Sequence, residues 1–526
     1  MMVKIDRNFF LILIALAALG LAAFFIFIII NSQSDQSAKG GQSAKPLDGM
    51  IGAIDEDLSV KSNTEKILDC EDCNIIIISL TNTRKDHISL YGYERDTTPN
   101  IDYFFKDSLI FQNAFAPTSW TLPNAATFFT SLFPYAHKVL QRNNGERIEE
   151  NISTFSEILK QNGYAAAAFT GDGDYNRKFG FDQGFDLYLD RENFADYDIK
   201  LHDGGAGDPL GAYTPIPFVL PTAEKWLEQN ASKKFFLFLQ GFDTHCPFAP
   251  DEELDKKFTS GLKSSADFSK CLWTFDRTDP VYENGKKYWT VQLSGDPNAN
   301  VRISEEDLDY MIALYDGKIF KADFYLKAFL DQIKNLGLEK NTIVVFMSEH
   351  GDLFGEHGRF MRGGPLRGTF YDPVINFPLL IKHPRIDKKT VVDDLVQMVD
   401  LMPTLLNSLD ITDPQEKIRQ GKALQFSTFG DPPINEYAYS GSKYVANGGF
   451  FSGTTNIEAI RSREWKLVRE TFLDDAPERQ SASSLYELYN IKEDPLEINN
   501  LYDAKKEIAN LLEKNLDNFF SKISKR

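Results

Sequence analysis

Apolar runs and amphipathic stretches alternate along most of this chain. Ile75–Leu80 is a continuous run rich in β-branched residues, the pattern of a strand buried on both faces. Leu109–Phe115, Tyr164–Thr170, Phe235–Phe242, Thr342–Met347 and Leu379–Ile381 repeat it. Helical spacing fills the intervals: Thr121 to about Leu132, Ile152–Gln161 stopped by Gly163, Thr222–Asn230, and Glu305 to about Leu336 stopped by Gly337. A short helix at Leu401–Leu409 carries Pro403 in its first turn. The alternation predicts an α/β fold, a mostly parallel central sheet with helices on both faces. Ligands of such sheets sit beyond the carboxyl ends of the strands. From about Tyr437 the segments Glu458–Arg461, Trp465–Val468 and Ser484–Tyr489 predict a small antiparallel sheet. Ile508, Leu511, Leu512, Leu516, Phe519, Phe520 and Ile523 keep helical spacing, which predicts a terminal helix docked on the body. Pro250 to Asn300 has no clean period and is expected to be a surface insertion, where substrate specificity could reside.

The domain organisation follows: residues 1–30 as a membrane anchor, 31–73 as a linker, 74–430 as the main domain and 431–526 as a C-terminal subdomain. Phe9–Ile30 carries no charge and is long enough to cross a hydrocarbon layer of roughly 30 Å as a helix. Lys4 and Arg7 precede it, which puts the N-terminus in the cytosol and the large domain outside, in a periplasm or the extracellular space. Bulky residues run through Phe24–Ile30, so the segment reads as a retained single-pass anchor and not a cleaved signal peptide. The net charge of −19, from 57 Lys and Arg against 76 Asp and Glu, argues against a nucleic-acid partner. Cys70 and Cys73 form a lone C-x-x-C without the second pair that a zinc site needs. Disulfides Cys70–Cys73 or Cys246–Cys271 suit an oxidising compartment, and the pairing stays open.

Ionisable residues gather where the predicted strands end. The first strand ends in Thr81-Asn82-Thr83-Arg84, and Phe235–Phe242 runs into Asp243-Thr244-His245. Thr342–Met347 runs into Ser348-Glu349-His350-Gly351-Asp352, followed by Glu356-His357-Gly358 and then Arg367. Thr121, with Pro123 two residues on, stands at the mouth of a predicted helix. A hydroxyl there meets the partial positive charge of unpaired backbone N–H groups, which favours its alkoxide and any bound anion.

This series resembles the sulfatase family of the alkaline phosphatase superfamily from Asn74 to about Tyr502. The resemblance is carried by Asn74-Ile75 through Tyr91-Gly92-Tyr93, by Asp96-Thr97-Thr98-Pro99-Asn100-Ile101-Asp102, and by Thr130-Ser131-Leu132-Phe133-Pro134 with His137. Val399-Asp400-Leu401-Met402-Pro403-Thr404-Leu405 and Leu485-Tyr486-Glu487-Leu488-Tyr489 with Asp494-Pro495 complete it. The resemblance implies Thr121 at the nucleophile position and a divalent metal ion (Ca, Mn or Zn) held by Asn82, Glu349, His350 and Thr121. It also implies His245 and Arg367 as contacts to the anion, and a sulfated or phosphorylated glycan or lipid as substrate.

Four departures from the family pattern shape the expected chemistry. Thr81 stands where an acidic metal ligand is expected, and Glu349 where Asp is usual. Thr121 cannot become the formylglycine that sulfatases make from Cys or Ser, although phosphoryl-transferring relatives use an unmodified Thr. Ala125 replaces a basic anion contact. With fewer anionic oxygens the site suits Zn²⁺ or Mn²⁺ better than Ca²⁺. Asp352, more than Asp86, is placed by chain position to fill the gap at Thr81. Two readings follow: a membrane-anchored hydrolase or transferase of sulfate or phosphate esters acting through a metal-activated Thr121, or a catalytically inactive fold that binds anionic glycans or lipids.

Overall fold

A computed structural model describes residues 68–142, 145–171, 173–197, 214–250, 252–274, 279–293, 296–362, 368–424, 435–446, 453–473 and 484–523. The expected anchor at Phe9–Ile30 and most of the linker lie outside these residues. Among the described residues no helix is long and apolar enough to cross a membrane.

Eight strands form the main sheet: β1 (Asn74–Leu80), β2 (Leu109–Phe115), β3 (Ala165–Thr170), β4 (Leu187–Leu189), β5 (Phe235–Gly241), β6 (Thr342–Met347), β7 (Leu379–Lys382) and β8 (Thr390–Gln397). Their order is β8-β2-β7-β6-β1-β5-β3-β4. β6, β1, β5, β3 and β4 run parallel, as the apolar runs predict. β7 runs antiparallel to both neighbours. β7 starts at the carboxyl edge, where β6 ends, and so runs back beside it. Alternate residues of each strand feed opposite cores. Ile75, Ile77, Phe236 and Val345 pack with the helix Thr121–Thr130, whereas Ile76, Ile78, Leu237 and Val344 pack under the helices Ile216–Asn230 and Glu305–Asn335. Helices therefore cover both faces.

The insertion is ordered where its periodicity was weakest. Leu272–Trp273, Val281–Glu283, Lys286–Leu293 and Asp296–Ser304 pair antiparallel. Asn284 and Gly285 take the positive φ angles of a two-residue hairpin turn, 52° and 77°. Trp289, Val291 and Ile303 form a core with Phe248, Phe354, Phe360 and Met361, and the disulfide Cys246–Cys271 ties the insertion to the end of β5. Cys70 and Cys73 form a second disulfide.

The C-terminal sheet is an antiparallel meander of Ala438–Ala446, Gly453–Arg461, Trp465–Phe472 and Ser484–Asn490. Ile460, Leu467 and Leu488 pack against Leu512, Leu516 and Phe520 of the helix Lys506–Ile523, which docks on the body as its spacing predicts. The opposite face, with Tyr444, Ile457, Ala459 and Tyr489, joins the main core. At this junction the fully buried Lys466 amine lies 2.8 Å from Asp372 and 2.6 Å from Glu497. Lys466 and Arg461 hold the Asp372 carboxyl down to about 2 against the opposing effect of burial.

Packing also creates a pH liability. His137 is 2 % exposed; its Nδ1 accepts from the Val139 N–H at 3.0 Å and its Nε2 lies 3.2 Å from Thr127 Oγ1. Burial lowers its pKa to about 3, and that of His383 to about 4. A histidine that is neutral when folded and titrates near 6.5 when unfolded adds stability that is present above pH 6.5 and lost as pH falls toward the folded value. We expect His137 alone to cost about 1.4 kcal/mol between pH 7.5 and 5.5. Urea titrations at both pH values should show that loss in wild type and a smaller loss in His137→Gln. Equal losses would refute it.

Candidate active site

The site lies at the carboxyl edge of the main sheet, and the strand register builds it. In the parallel pair β1–β6, Ser79 stands opposite Met347, so two residues further Thr81 faces Glu349 across the strand ends. Thr81 Oγ1 donates to Glu349 Oε1 at 3.0 Å, and Gln240 at the end of β5 donates to Thr81 Oγ1. The Thr81 hydroxyl is thus spent on orienting Glu349. Next to it Asn82 adopts φ 63°, a left-handed conformation that asparagine tolerates. Its Nδ2 donates to Asp352 Oδ2 at 3.0 Å. Asp352 thus lies beside Asn82, the neighbour of Thr81, whereas Asp86 is paired with Arg84 at 2.7 Å and half exposed.

Thr121 comes in from β2. Trp120 is extended, with φ −154° and ψ 163°, and the helix begins at Thr121, which is 1 % exposed. Pro123 falls in the first turn, where its missing N–H leaves no ladder bond unmade. Thr121 Oγ1 lies 3.2 Å from His350 Nε2. His350 Nδ1 lies 2.9 Å from the Gly351 carbonyl, which can only accept. Nδ1 therefore carries the proton, and Nε2 presents a lone pair to the Thr121 hydroxyl. Burial, and then the charge of Arg362, hold the His350 imidazole well below its usual pKa. It is neutral at ordinary pH.

Beside this pair lie His245 and Arg362. His245 Nδ1 lies 2.6 Å from the Cys246 carbonyl, so its Nε2 accepts from Arg362 Nη2 at 2.8 Å. Phe242 stacks on the His245 ring with centroids 4.3 Å apart. Arg362 Nη1 also lies 3.6 Å from Asp352 Oδ2. Arg142, gripping Asp174 through two bonds of 2.6 Å and lying over the Trp120 ring at 5.4 Å, adds a second guanidinium whose charge is felt at His245. Arg367, expected from the sequence to grip the anion, lies outside the described residues. The guanidinium the structure brings to His245 is that of Arg362, which sequence reasoning passed over. A signal for it existed: Gly355 and Gly358, both at positive φ, fold the chain into a hairpin closed by the bridge Phe354–Phe360, aiming the next residues back at the strand ends.

The donor set fits a divalent cation. Asn82 Oδ1 and Glu349 Oε2 are buried acceptors that meet no hydrogen-bond donor, and each belongs to a side chain whose other terminal atom is already held. Two buried oxygens of this kind suit a hard or borderline metal ion. The set is loose, however: among the described residues the only three His, Cys, Asp or Glu ligand atoms within 4.8 Å of one another belong to His245, Cys246 and Cys271. Two of those sulfurs are joined in a disulfide, so that cluster is no metal centre.

Comparison with known proteins agrees with this architecture. A family model described as Sulfatase matches residues 73–411. The chain belongs to the sulfatase family. A second model, N-sulphoglucosamine sulphohydrolase, C-terminal, matches residues 355–522. Among relatives, arylsulfatase K of Xenopus laevis is 27% identical over 334 residues, covering 60% of this chain and 59% of that protein. An arylsulfatase of Clostridium perfringens is 24% identical over 393 residues, covering 65% of this chain and 76% of that protein. Two solved structures share the fold. The BT4656 protein, bound to its substrate D-glucosamine-2-N,6-O-disulfate, aligns with TM-score 0.63 and 19% identity, covering 86% of this chain and 98% of that one. The phosphonate monoester hydrolase of Agrobacterium radiobacter aligns with TM-score 0.64 and 19% identity, covering 86% and 96%. Sulfatases generally use a divalent metal ion. In this member of the family, Thr81 and Ala125 stand at strand-end and helix positions where charge was expected.

Proposed function

We propose that this sulfatase-family protein hydrolyses sulfate esters of a glycan, with phosphate esters as the second substrate class, through Thr121. The observation that carries the reading is the Thr121 Oγ1···His350 Nε2 contact of 3.2 Å, with the imidazole held in the tautomer that accepts a proton. In the first step Thr121 Oγ1 gives its proton to His350 Nε2 and attacks the sulfur or phosphorus in line with the departing alcohol. Arg362, oriented by His245 and Asp352, neutralises the ester oxygens. Water then hydrolyses the covalent sulfo- or phospho-threonine. Asn82 Oδ1, Glu349 Oε2 and Thr121 Oγ1 would hold a divalent cation, which when bound polarises the ester oxygens and acidifies the threonine hydroxyl. The scarcity of carboxylates favours Mn²⁺ or Zn²⁺ over Ca²⁺. The neighbours named for a disulfated glucosamine and for arylsulfatase activity support the sulfated substrate. The Phe9–Ile30 segment and both disulfides support a large domain anchored outside the cytosol.

A second reading, a binder of anionic glycans or lipids without turnover, is favoured by the neutral side chains at Thr81 and Ala125. Turnover of 4-nitrophenyl sulfate, 4-nitrophenyl phosphate and a phosphodiester by the full chain separates the two. No turnover of any of them, together with retained binding of a sulfated oligosaccharide, would establish the binder. The metal reading has its own measurement. After chelation, adding Mn²⁺ or Zn²⁺ should raise the melting temperature more than Ca²⁺ does, since saturation at 100 Kd stabilises by about 2.7 kcal/mol. Glu349→Gln should abolish the response, and a wild-type melting temperature indifferent to all three ions would sink it.

A further inference from the structure

Asn124 is the fourth residue of the helix that Thr121 opens, and it is fully buried. Its amide oxygen accepts from the Thr118 N–H at 3.0 Å and from Thr118 Oγ1 at 3.0 Å. Its amide nitrogen donates to the Thr118 carbonyl at 3.0 Å and to the Glu349 carbonyl at 2.9 Å. All four hydrogen-bonding positions of the carboxamide are therefore occupied. Three of these bonds close the loop that leads from β2 to the nucleophile. The fourth crosses to the backbone of the residue just before His350, on a different strand end.

These bonds join the two halves of the Thr121–His350 contact. Thr121 is set by the turn Thr118–Trp120, and His350 is set by the backbone at Glu349. Among the described residues the hydrogen bonds between those two segments are the Asn124–Glu349 bond and the Thr121–His350 contact of 3.2 Å. Only a carboxamide meets the demand at this point. Aspartate offers no donor and would set a negative oxygen against the carbonyls of Thr118 and Glu349, alanine makes none of the bonds, and serine is too short to span both strand ends.

We propose that Asn124 is a positioning residue, a cross-brace that sets the distance between the Thr121 hydroxyl and the His350 imidazole and thereby the rate of the nucleophilic step. The proposal rests on the reading of Thr121 as nucleophile and His350 as its proton acceptor. It goes beyond that reading in assigning a role to a side chain that never touches the substrate.

Kinetics of single and double variants test it. Asn124→Asp keeps the size and the two accepted bonds but loses both donated bonds, to the Thr118 and Glu349 carbonyls, and should lower kcat about 10–100-fold while KM stays within about two-fold. Thr118→Val, which leaves the bonds to the Thr118 backbone and to Glu349 in place, should lose far less. In a His350→Ala background Asn124→Asp should add nothing further, because the contact it sets is already gone. An additive loss, or a change confined to KM, would overturn the proposal. Should wild type turn over no substrate, the reading of function fails and a second measurement still decides about Asn124. Histidine-selective ¹⁵N spectra of the full chain report the His350 Nε2 resonance, which should move in Asn124→Asp in the same direction as in Thr121→Val. A resonance unmoved by Asn124→Asp, while Thr121→Val moves it, would rule out the brace.

Discussion

Thr121→Ala should lose at least about 10³-fold in kcat on any sulfate or phosphate ester that the wild-type protein hydrolyses, with its melting temperature almost unchanged. The loss is large because the proposed mechanism makes Thr121 Oγ1 the bond-forming atom, and among the described residues it is the hydroxyl that lies against His350 Nε2. The melting temperature is largely spared because the hydrogen bond of the Thr121 side chain goes to His350 and the helix start is held by Asn124 and Thr118 instead. Thr121→Ser should keep a substantial fraction of the rate. Rapid quenching of wild type with substrate, followed by peptide mass measurement, should find a sulfo or phospho group on the peptide that contains Thr121. Equal rates for wild type and Thr121→Ala would remove the residue from the chemistry, and a labelled peptide elsewhere would name its replacement.

The second large effect is on stability. Lys466→Met should destabilise the protein by about 3–5 kcal/mol, because it leaves the fully buried Glu497 and the largely buried Asp372 with no cation between them. Lys466 bridges Asp372 at 2.8 Å and Glu497 at 2.6 Å. Arg461 lies 3.6 Å from Asp372 and compensates it only in part. The double variant Lys466→Met with Glu497→Gln should recover part of the loss, since the remaining carboxylate still has Arg461. Urea unfolding followed by fluorescence measures both. A single variant within about 0.5 kcal/mol of wild type would contradict the assignment of this cluster as the ionic joint between the two sheets.

Much of this was legible in the chain because strand burial and strand-end chemistry both leave local traces. Ile75–Leu80 and Thr342–Met347 are apolar on both faces, so they mark central parallel strands. The residues that follow them, Thr81-Asn82 and Glu349-His350, fall into the site by register alone. Both disulfide candidates form, although the sequence had left the pairing open. Other features left no such trace. β8 pairs Val and Asp residues in succession around a bulge between Val392 and Leu395 and so shows no clean period, and the direction of β7 depends on where the chain re-enters the sheet, a non-local fact. Arg362 escaped because it sits on a glycine-turned hairpin whose aim is set by a bridge between Phe354 and Phe360. Asn124 escaped because its partners lie in a preceding turn and on a remote strand end, and a side-chain amide inside a helix usually signals nothing. The hairpin at Asn284-Gly285 was legible in principle and was lost in the charged surroundings of the insertion.

The main-chain bond from the Thr81 N–H to the Gly241 carbonyl holds that strand end whatever side chain stands there. Reactivity here is thus mounted on positions that carry almost none of the weight of the sheet. A lineage can exchange an acid for an alcohol at residue 81 without risking collapse of the fold. The same freedom runs backwards: Thr81→Asp is a one-residue route by which such a chain could regain tighter cation binding, or shed it again, while its architecture stays the same.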